Sequence, residues 1–115
     1  MNSTPTTDIH GNVQWKTPSG LLHREDGPAV ILIDGTQDWW INGEKHRVDG
    51  PAVILPGYFQ AWYLHNKLHR SNGPAVEWVH GYKEWWLNGK EYDQFKYWLL
   101  FDKRETPTQS SKDML

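Results

Sequence analysis

Three side-chain types recur in this sequence where they could do chemistry: histidine at 23, 46 and 69, arginine at 24, 47 and 70, and adjacent aromatics at 39–40, 62–63 and 85–86. Imidazole can ligate a metal, move a proton or simply hydrogen-bond. Guanidinium beside indole can hold an anionic or nucleotide ligand by charge and stacking. A row of aromatics can bind a partner.

The spacing limits the choice. Neighbouring strands lie roughly 4.8 Å apart, so equivalent residues of two-stranded units lie about 9–10 Å apart. Zinc needs each ligand nitrogen near roughly 2.0–2.1 Å, so ligand side chains must converge within about 4 Å. His23, His46 and His69 therefore do not share one ion. His65 and His69 flank one turn, and two ligands alone make a poor site. No metal and no cofactor are expected. Each His is expected to hydrogen-bond the backbone of the next unit's turn. Each Arg is expected to brace its own loop by pairing with Asp26, Asp49 or Asn72; on the ligand reading, Arg24, Arg47 and Arg70 are anion contacts. Catalysis has little footing. No G-x-S-x-G, H-E-x-x-H or P-loop string occurs, and the Glu25-Asp26 carboxylate pair occurs in one unit only. The chain reads as a non-enzyme.

These residues sit in a repeat. "HREDGPAV" (23–30), "HRVDGPAV" (46–53) and "HRSNGPAV" (69–76) follow one another at a step of 23 residues. Trp39, Trp62 and Trp85 keep that step, as do Trp40, Tyr63 and Trp86, and Ile41, Leu64 and Leu87. A partial copy, "HGNVQWKTPSG", precedes them and makes Trp15 a fourth member of the first Trp column. The register ends where Tyr92-Asp93 stands in place of His-Arg. An active site needs its constellation once, whereas a stacked scaffold needs its unit many times.

Each unit holds two extended pieces, "PAVIL" and "GTQDWWI" in their clearest forms, joined by Asp34-Gly35, Pro56-Gly57 or His80-Gly81. Asp-Gly between apolar runs predicts a tight type I′ hairpin turn. The Gly before each Pro reads as permissive backbone, and the Pro as a strand start. The expected fold is all-β: an elongated, curved antiparallel meander of about seven strands with a short C-terminal capping helix. Residues 10–92 form the repeat domain of about three and a half units, and 93–104 the helix, N-capped by Asp93, with Phe95, Trp98, Leu99 and Asp102 on one face. Residues 1–9 and 105–115 are polar and expected to be disordered.

Composition agrees. The chain has 115 residues, eight Trp and no Cys, and 12 Lys+Arg against 14 Asp+Glu. The balance gives no basic excess, so no nucleic acid is expected. No disulfide or thiolate metal site is available. There is no apolar leader and no membrane-length apolar run, so neither secretion nor a membrane is expected, and the cytoplasm is the expected compartment.

The string "WWINGEKHRVDGPAV" (39–53) resembles MORN repeats, and most closely a MORN-like subgroup with W-x-x-N-G-K-x-H-R-x-D-G-P-A found in bacterial, phage and giant-virus proteins. The resemblance covers about residues 10–92. It implies a curved sheet of hairpins and no catalytic residues. Members are variously antitoxin components, scaffolds or membrane-associated modules. Pro-Ala replaces part of the Gly-rich MORN pattern, which argues against carrying over lipid binding.

Adjacent strand residues face opposite sides, so one aromatic column lies on each face. The expected function is binding: a protein partner, such as a toxin or defence effector, neutralised through an aromatic face. Trp40, Tyr63 and Trp86 are the candidate contacts. They are joined by Tyr58, Phe59, Trp78 and Tyr82, which differ between units. A nucleotide-sequestering protein and a structural or homo-oligomeric scaffold are the alternatives.

Overall fold

The computed structural model describes residues 2–105, and side chains as far as residue 100. Each Pro-Ala-Val string opens a short strand: β3 (Val30–Ile31), β7 (Val53–Leu55) and β11 (Val76–Trp78). The aromatic pieces return beside them as β4 (Gln37–Asp38), β8 (Phe59–Ala61) and β12 (Lys83–Leu87). With β1 (Thr4–Thr7), β2 (Val13–Lys16) and β13 (Lys90–Tyr92) they form a nine-stranded sheet, ordered β1-β2-β3-β4-β7-β8-β11-β12-β13. Every neighbour in it is antiparallel. The molecule extends over 61 × 33 × 19 Å with a radius of gyration of 17.3 Å. A compact chain of this length would have a radius near 13 Å. The fold is thus an elongated all-β array with one C-terminal helix.

The strands are more numerous and shorter than expected. In the first two full units the aromatic strand breaks at Trp39 and at Trp62, leaving β5 (Trp40–Ile41) and β9 (Tyr63–Leu64). These pair with β6 (Glu44–Lys45) and β10 (Lys67–Leu68) as separate two-stranded ribbons. The cause is a change of partner. The Trp39 N–H still donates to Ala52 O across the sheet, while its carbonyl accepts from His46 N in its own hairpin. The strand has to bend between two directions of pairing. In the third unit β12 runs through and pairs with both β11 and β13.

The turn chemistry is the reverse of the expected one. At Asp34-Gly35 only the glycine has positive φ, at 93°. Gly35 N donates to Leu32 O and Leu32 N to Thr36 O, which is a type I turn closed by a glycine bulge. The type I′ turns lie at the other end of the strands. Asn42-Gly43 has φ of 49° and 82°, and Asn88-Gly89 has 50° and 82°. The middle unit places His65-Asn66 there, at 46° and 68°, with no glycine.

The N-terminus corrects the reading of residues 1–9 as disordered. Thr4–Thr7 pairs in register with β2, Thr4 opposite Lys16 and Thr7 opposite Val13. Polar composition hid this, yet threonine favours strands and a lone proline is tolerated at a sheet edge. Asp8 fixes the turn: its Oδ1 accepts from His10 N and Asn12 N, and its Oδ2 from Asn12 Nδ2. Those bonds, the Asn12 side chain first, hold its carboxyl below the usual range.

The core is thin. Val53, Ala61 and Val76 form its centre, with Leu55, Phe59, Tyr63, Leu68, Trp78 and Trp86 packed against it. Ala29, Ala52 and Ala75, one per unit, are completely buried. Each bonds both neighbours: Ala52 N donates to Ala61 O, and Ala52 O accepts from Trp39 N.

Helix α1 (Gln94–Glu105) packs on β12 and β13, with Asp93 Oδ1 accepting from Lys96 N at its start. Its buried face differs from the expected one. Phe95 is 72% exposed, Trp98 39% and Leu99 44%, whereas Tyr97 is 0% exposed. The Tyr97 hydroxyl donates to Arg70 O and accepts from Gly73 N at 3.2 Å. A hydroxyl that satisfies loop backbone outcompetes an apolar stripe that would leave that backbone unpaired. The tail expected over 105–115 lies, from 106 on, outside the described residues. Tyr97→Phe should therefore lower unfolding free energy by about 1–3 kcal/mol, because a buried N–H loses its acceptor. Phe95→Ala should stay within about 0.5 kcal/mol of wild type. Urea unfolding of the two variants decides between the faces, and a larger cost for Phe95→Ala would restore the stripe.

Candidate functional site

The repeated His-Arg loops come first, because they fix where the aromatics lie. Arg24, Arg47 and Arg70 stack on Trp15, Trp39 and Trp62, with guanidinium-to-ring distances of 4.2, 3.8 and 4.1 Å. Trp15 thus joins the column as the spacing implied. Each Nε donates two residues on: to Asp26 at 3.1 Å, Asp49 at 3.1 Å and Asn72 at 3.2 Å. Each Nη1 donates to the carbonyl of Pro28, Pro51 or Pro74. The other guanidinium face lies on glycine. A Cβ built on Gly27, Gly50 or Gly73 would come within 2.8, 2.7 or 3.0 Å of the Arg Cζ. The invariant glycine is there for room, and its φ is not positive, so permissive backbone is not its role. The arginine side chains, 21–23% exposed, are committed to their own loops. The third unit differs, since neutral Asn72 stands where Asp26 and Asp49 supply charge, and Glu77 approaches Arg70 Nη1 at 3.8 Å. Gly50→Ala should cost about 1–3 kcal/mol, the range for overpacking, and should quench the ring-current shift of the Arg47 side chain over Trp39. Unchanged stability with the shift intact would refute the sandwich.

The histidines do what the repeat reading expects. His23, His46 and His69 each accept through Nδ1 from backbone N–H of the next unit's type I′ turn, at Asn42 (2.9 Å), His65 (3.0 Å) and Asn88 (2.9 Å). The neutral Nε2–H tautomer is required. Among the described residues no group of three or more His, Asp or Glu could hold a metal. His65 lies beside His46, with ring centroids 4.3 Å apart, and its Nδ1 is 3.1 Å from Glu44. Burial first, then the neighbouring His65, push the His46 pKa below its ordinary 6.5, against Glu44. A base with a depressed folded pKa favours folding while neutral. Its contribution is complete above about pH 6.5 and is lost as pH falls below that through the folded value. Urea midpoints measured from pH 7.5 to 5 should fall as the pH drops below the ordinary His value, and fall less steeply in His46→Asn. Parallel slopes in the two proteins would remove His46 from the effect.

The second aromatic column has no arginine lid. Trp40, Tyr63 and Trp86 are half-buried, and Tyr63 and Trp86 pack with Phe59 and Trp78, whose rings lie 4.8 Å apart, against Val53, Ala61 and Val76. Lys45 Nζ sits 5.7 Å from the Trp40 ring and 5.2 Å from Tyr63. Two carboxylates belong to this face, by register opposite Val53 and Val76: Asp38 and Glu84. Glu84 accepts from Trp86 Nε1 at 2.8 Å and Trp78 Nε1 at 3.2 Å. Asp38 is pushed up by burial against the pull of Lys45, and Tyr63 is pushed up by burial, Asp38 and Glu84. None of Asp38, Lys45 and Glu84 was singled out from sequence. They fall in variable columns, and only the register shows that they flank the aromatics.

Tyr58 and Tyr82 lie apart, on the hairpin turns at the sheet's edge, 66% and 56% exposed. Ile9, Ile33 and Val79 are exposed on the same series of turns, and Val79 N donates to Tyr58 O across two of them. A cavity of about 460 Å³ there is lined by Tyr58, Phe59, Trp78 and Lys83. Another, of about 490 Å³, lies between two loops and is lined by His46, Arg47, His69, Arg70 and Asn72. A third, of about 450 Å³, separates Tyr63 from Trp86.

Comparison of the chain with protein-family models, with curated proteins and with solved structures gives no match. Among the described residues no helix is long and apolar enough to cross a membrane.

Proposed function

We propose that this chain is a non-catalytic, MORN-like β-repeat protein that binds a protein partner across the face bearing Trp40, Tyr63 and Trp86. The observation that carries the reading is the contrast between columns. Trp15, Trp39 and Trp62 each lie under an arginine of the chain itself. Tyr63 and Trp86 pack beside Phe59 and Trp78, Trp40 is linked to Tyr63 through the Lys45 ammonium, and among the described residues no arginine covers any of the three. Partly exposed aromatics on a rigid sheet supply contact area at low entropic cost, which is what the centre of a protein interface needs. Neutralisation follows by occlusion: the array covers the partner's working surface, as a small cytoplasmic accessory protein of a bacterium or phage would.

A second reading is favoured by one observation. In the loop cavity Arg70 Nε bonds neutral Asn72, where Arg24 and Arg47 bond Asp26 and Asp49, and its nearest carboxylate, Glu77, stands at 3.8 Å, which makes that unit the better place for a phosphate or nucleotide. One set of variants separates the two. Tyr63→Ala with Trp86→Ala should abolish partner capture from the host lysate, while Asn72→Asp should leave it intact. A nucleotide panel titrated into the same proteins should give no saturable binding. Nucleotide binding that Asn72→Asp removes, with capture indifferent to the aromatic pair, would reverse the choice. Melting temperatures keep unfolding from being mistaken for lost binding.

A further inference from the structure

The aromatic row is not uniform, and the difference between its ends points to what it recognises. At the third unit the carboxylate of this row is paired internally, since Glu84 takes both the Trp86 and the Trp78 indole N–H. The equivalent residues of the first unit are Asp38 and Trp40, with Asp one methylene shorter than Glu. Asp38 Oδ1 and Trp40 Nε1 are both buried there without a hydrogen-bond partner. Indole N–H groups of Trp39, Trp62 and Trp85 are unpaired too, whereas Asp38 contributes the one carboxylate oxygen among the unpaired buried atoms of the described residues. Buried polar atoms are nearly always paired, so that acceptor, two residues before an unpaired donor, marks an unfinished site.

The chain supplies its own probe of that site. Lys45 lies opposite Trp40 in its ribbon and holds its ammonium between the Trp40 and Tyr63 rings. At 5.7 and 5.2 Å it sits towards the outer limit of a cation–π contact, which lies near 6 Å. Its charge acts on Asp38, yet among the described residues no ion pair joins the two within 4.0 Å. The slot therefore takes a cation and holds this one loosely. The next units carry Leu68 and Glu91 in the Lys45 column, so the cation is no requirement of the fold.

We infer that the slot between Trp40 and Tyr63, floored by Asp38, receives an arginine side chain of the docked partner, which displaces Lys45. Guanidinium is the better occupant. It is planar and stacks on rings, it is more weakly hydrated than ammonium, and it presents paired donors to a carboxylate. A carbonyl of the same peptide is the complementary group for the Trp40 indole N–H. The inference rests on the aromatic row being the docking face, and it names the chemistry of the partner.

The test uses the full chain, nitrogen-15 labelled, with acetyl-Gly-Arg-Gly-amide as probe. Acetyl-Gly-citrulline-Gly-amide, its uncharged counterpart, is the control. The Trp40 indole N–H resonance, assigned by its loss in Trp40→Phe, reports binding. The arginine peptide should shift that resonance saturably, and the citrulline peptide should bind about tenfold more weakly or worse. Asp38→Asn should weaken the arginine peptide by a similar factor. Lys45→Leu, which copies Leu68 of the next unit, should strengthen it. Equal binding of the two peptides, indifference to Asp38→Asn, or no saturable shift in both wild type and Lys45→Leu would overturn the slot. Capture of the partner separates this from the docking reading. If Asp38→Asn captures it as well as wild type and no peptide binds, the face stands and the slot falls. If the peptide binds and capture ignores Tyr63→Ala with Trp86→Ala, the slot stands and the docking reading falls.

Discussion

Each guanidinium of Arg24, Arg47 and Arg70 lies flat between an indole and a glycine, with its edge bonded to the loop that carries it. Four of the repeated letters serve that one arrangement. Arginine supplies the plate, glycine leaves room beneath it, proline offers the carbonyl that Nη1 meets, and aspartate or asparagine holds Nε. Histidine extends it sideways by accepting a backbone N–H from the neighbouring turn. The loop is thereby braced internally and joined to the next unit, and stability accumulates as a sum over neighbours. A chain with so few fully buried large side chains needs such a sum, because a thin sheet buries little apolar area.

The same arrangement explains how the array ends. After the third loop no further His-Arg pair follows, so no fourth His-Arg loop stacks against it. The Tyr97 hydroxyl takes over, bonding Arg70 O and Gly73 N of the last loop. A helix closes the stack through one phenol, and its apolar stripe is left facing outward. At the other end β1 closes the sheet with a short threonine strand carrying Pro5, a residue that blunts an exposed edge.

What the sequence made legible follows from what repeats. The period, the hairpin array, the Arg–Asp pairing, the histidine bonds to the next turn and Trp15 as a column member could all be read because each is written several times. What happens once is harder to read from the letters, and so is one repeated glycine. The letters Asp34-Gly35 suit a type I′ turn, while the backbone there forms a type I turn with a glycine bulge. Thr4–Thr7 looked like tail because its composition is polar, while its pairing depends on Asp8 folding the chain back. Periodicity selects the wrong helix face because it counts apolar residues and is blind to a hydroxyl meeting two backbone groups. The glycine before each proline was read as a backbone need, and only the arginine lying on it reveals a need for space.

Repetition also separates scaffold from site. A column that is identical in every unit serves the stack, since a ligand seldom meets all units alike. Columns that share a face yet change from unit to unit are free to serve a ligand. Lys45, Leu68 and Glu91 form one such column, and Asp38, Ala61 and Glu84 another. They flank the row of Trp40, Tyr63 and Trp86, whose rings are kept while their surroundings change. The middle unit supplies neither carboxylate nor cation of its own, its Tyr63 ring meeting Lys45 of the unit before it, the last has a carboxylate tied down by two indoles, and the first has a carboxylate and an indole left unpaired. A single partner lying along the row would meet three chemically different stations at a fixed step. That asymmetry gives a symmetric scaffold a direction, and a partner bound along it would have one register and one orientation.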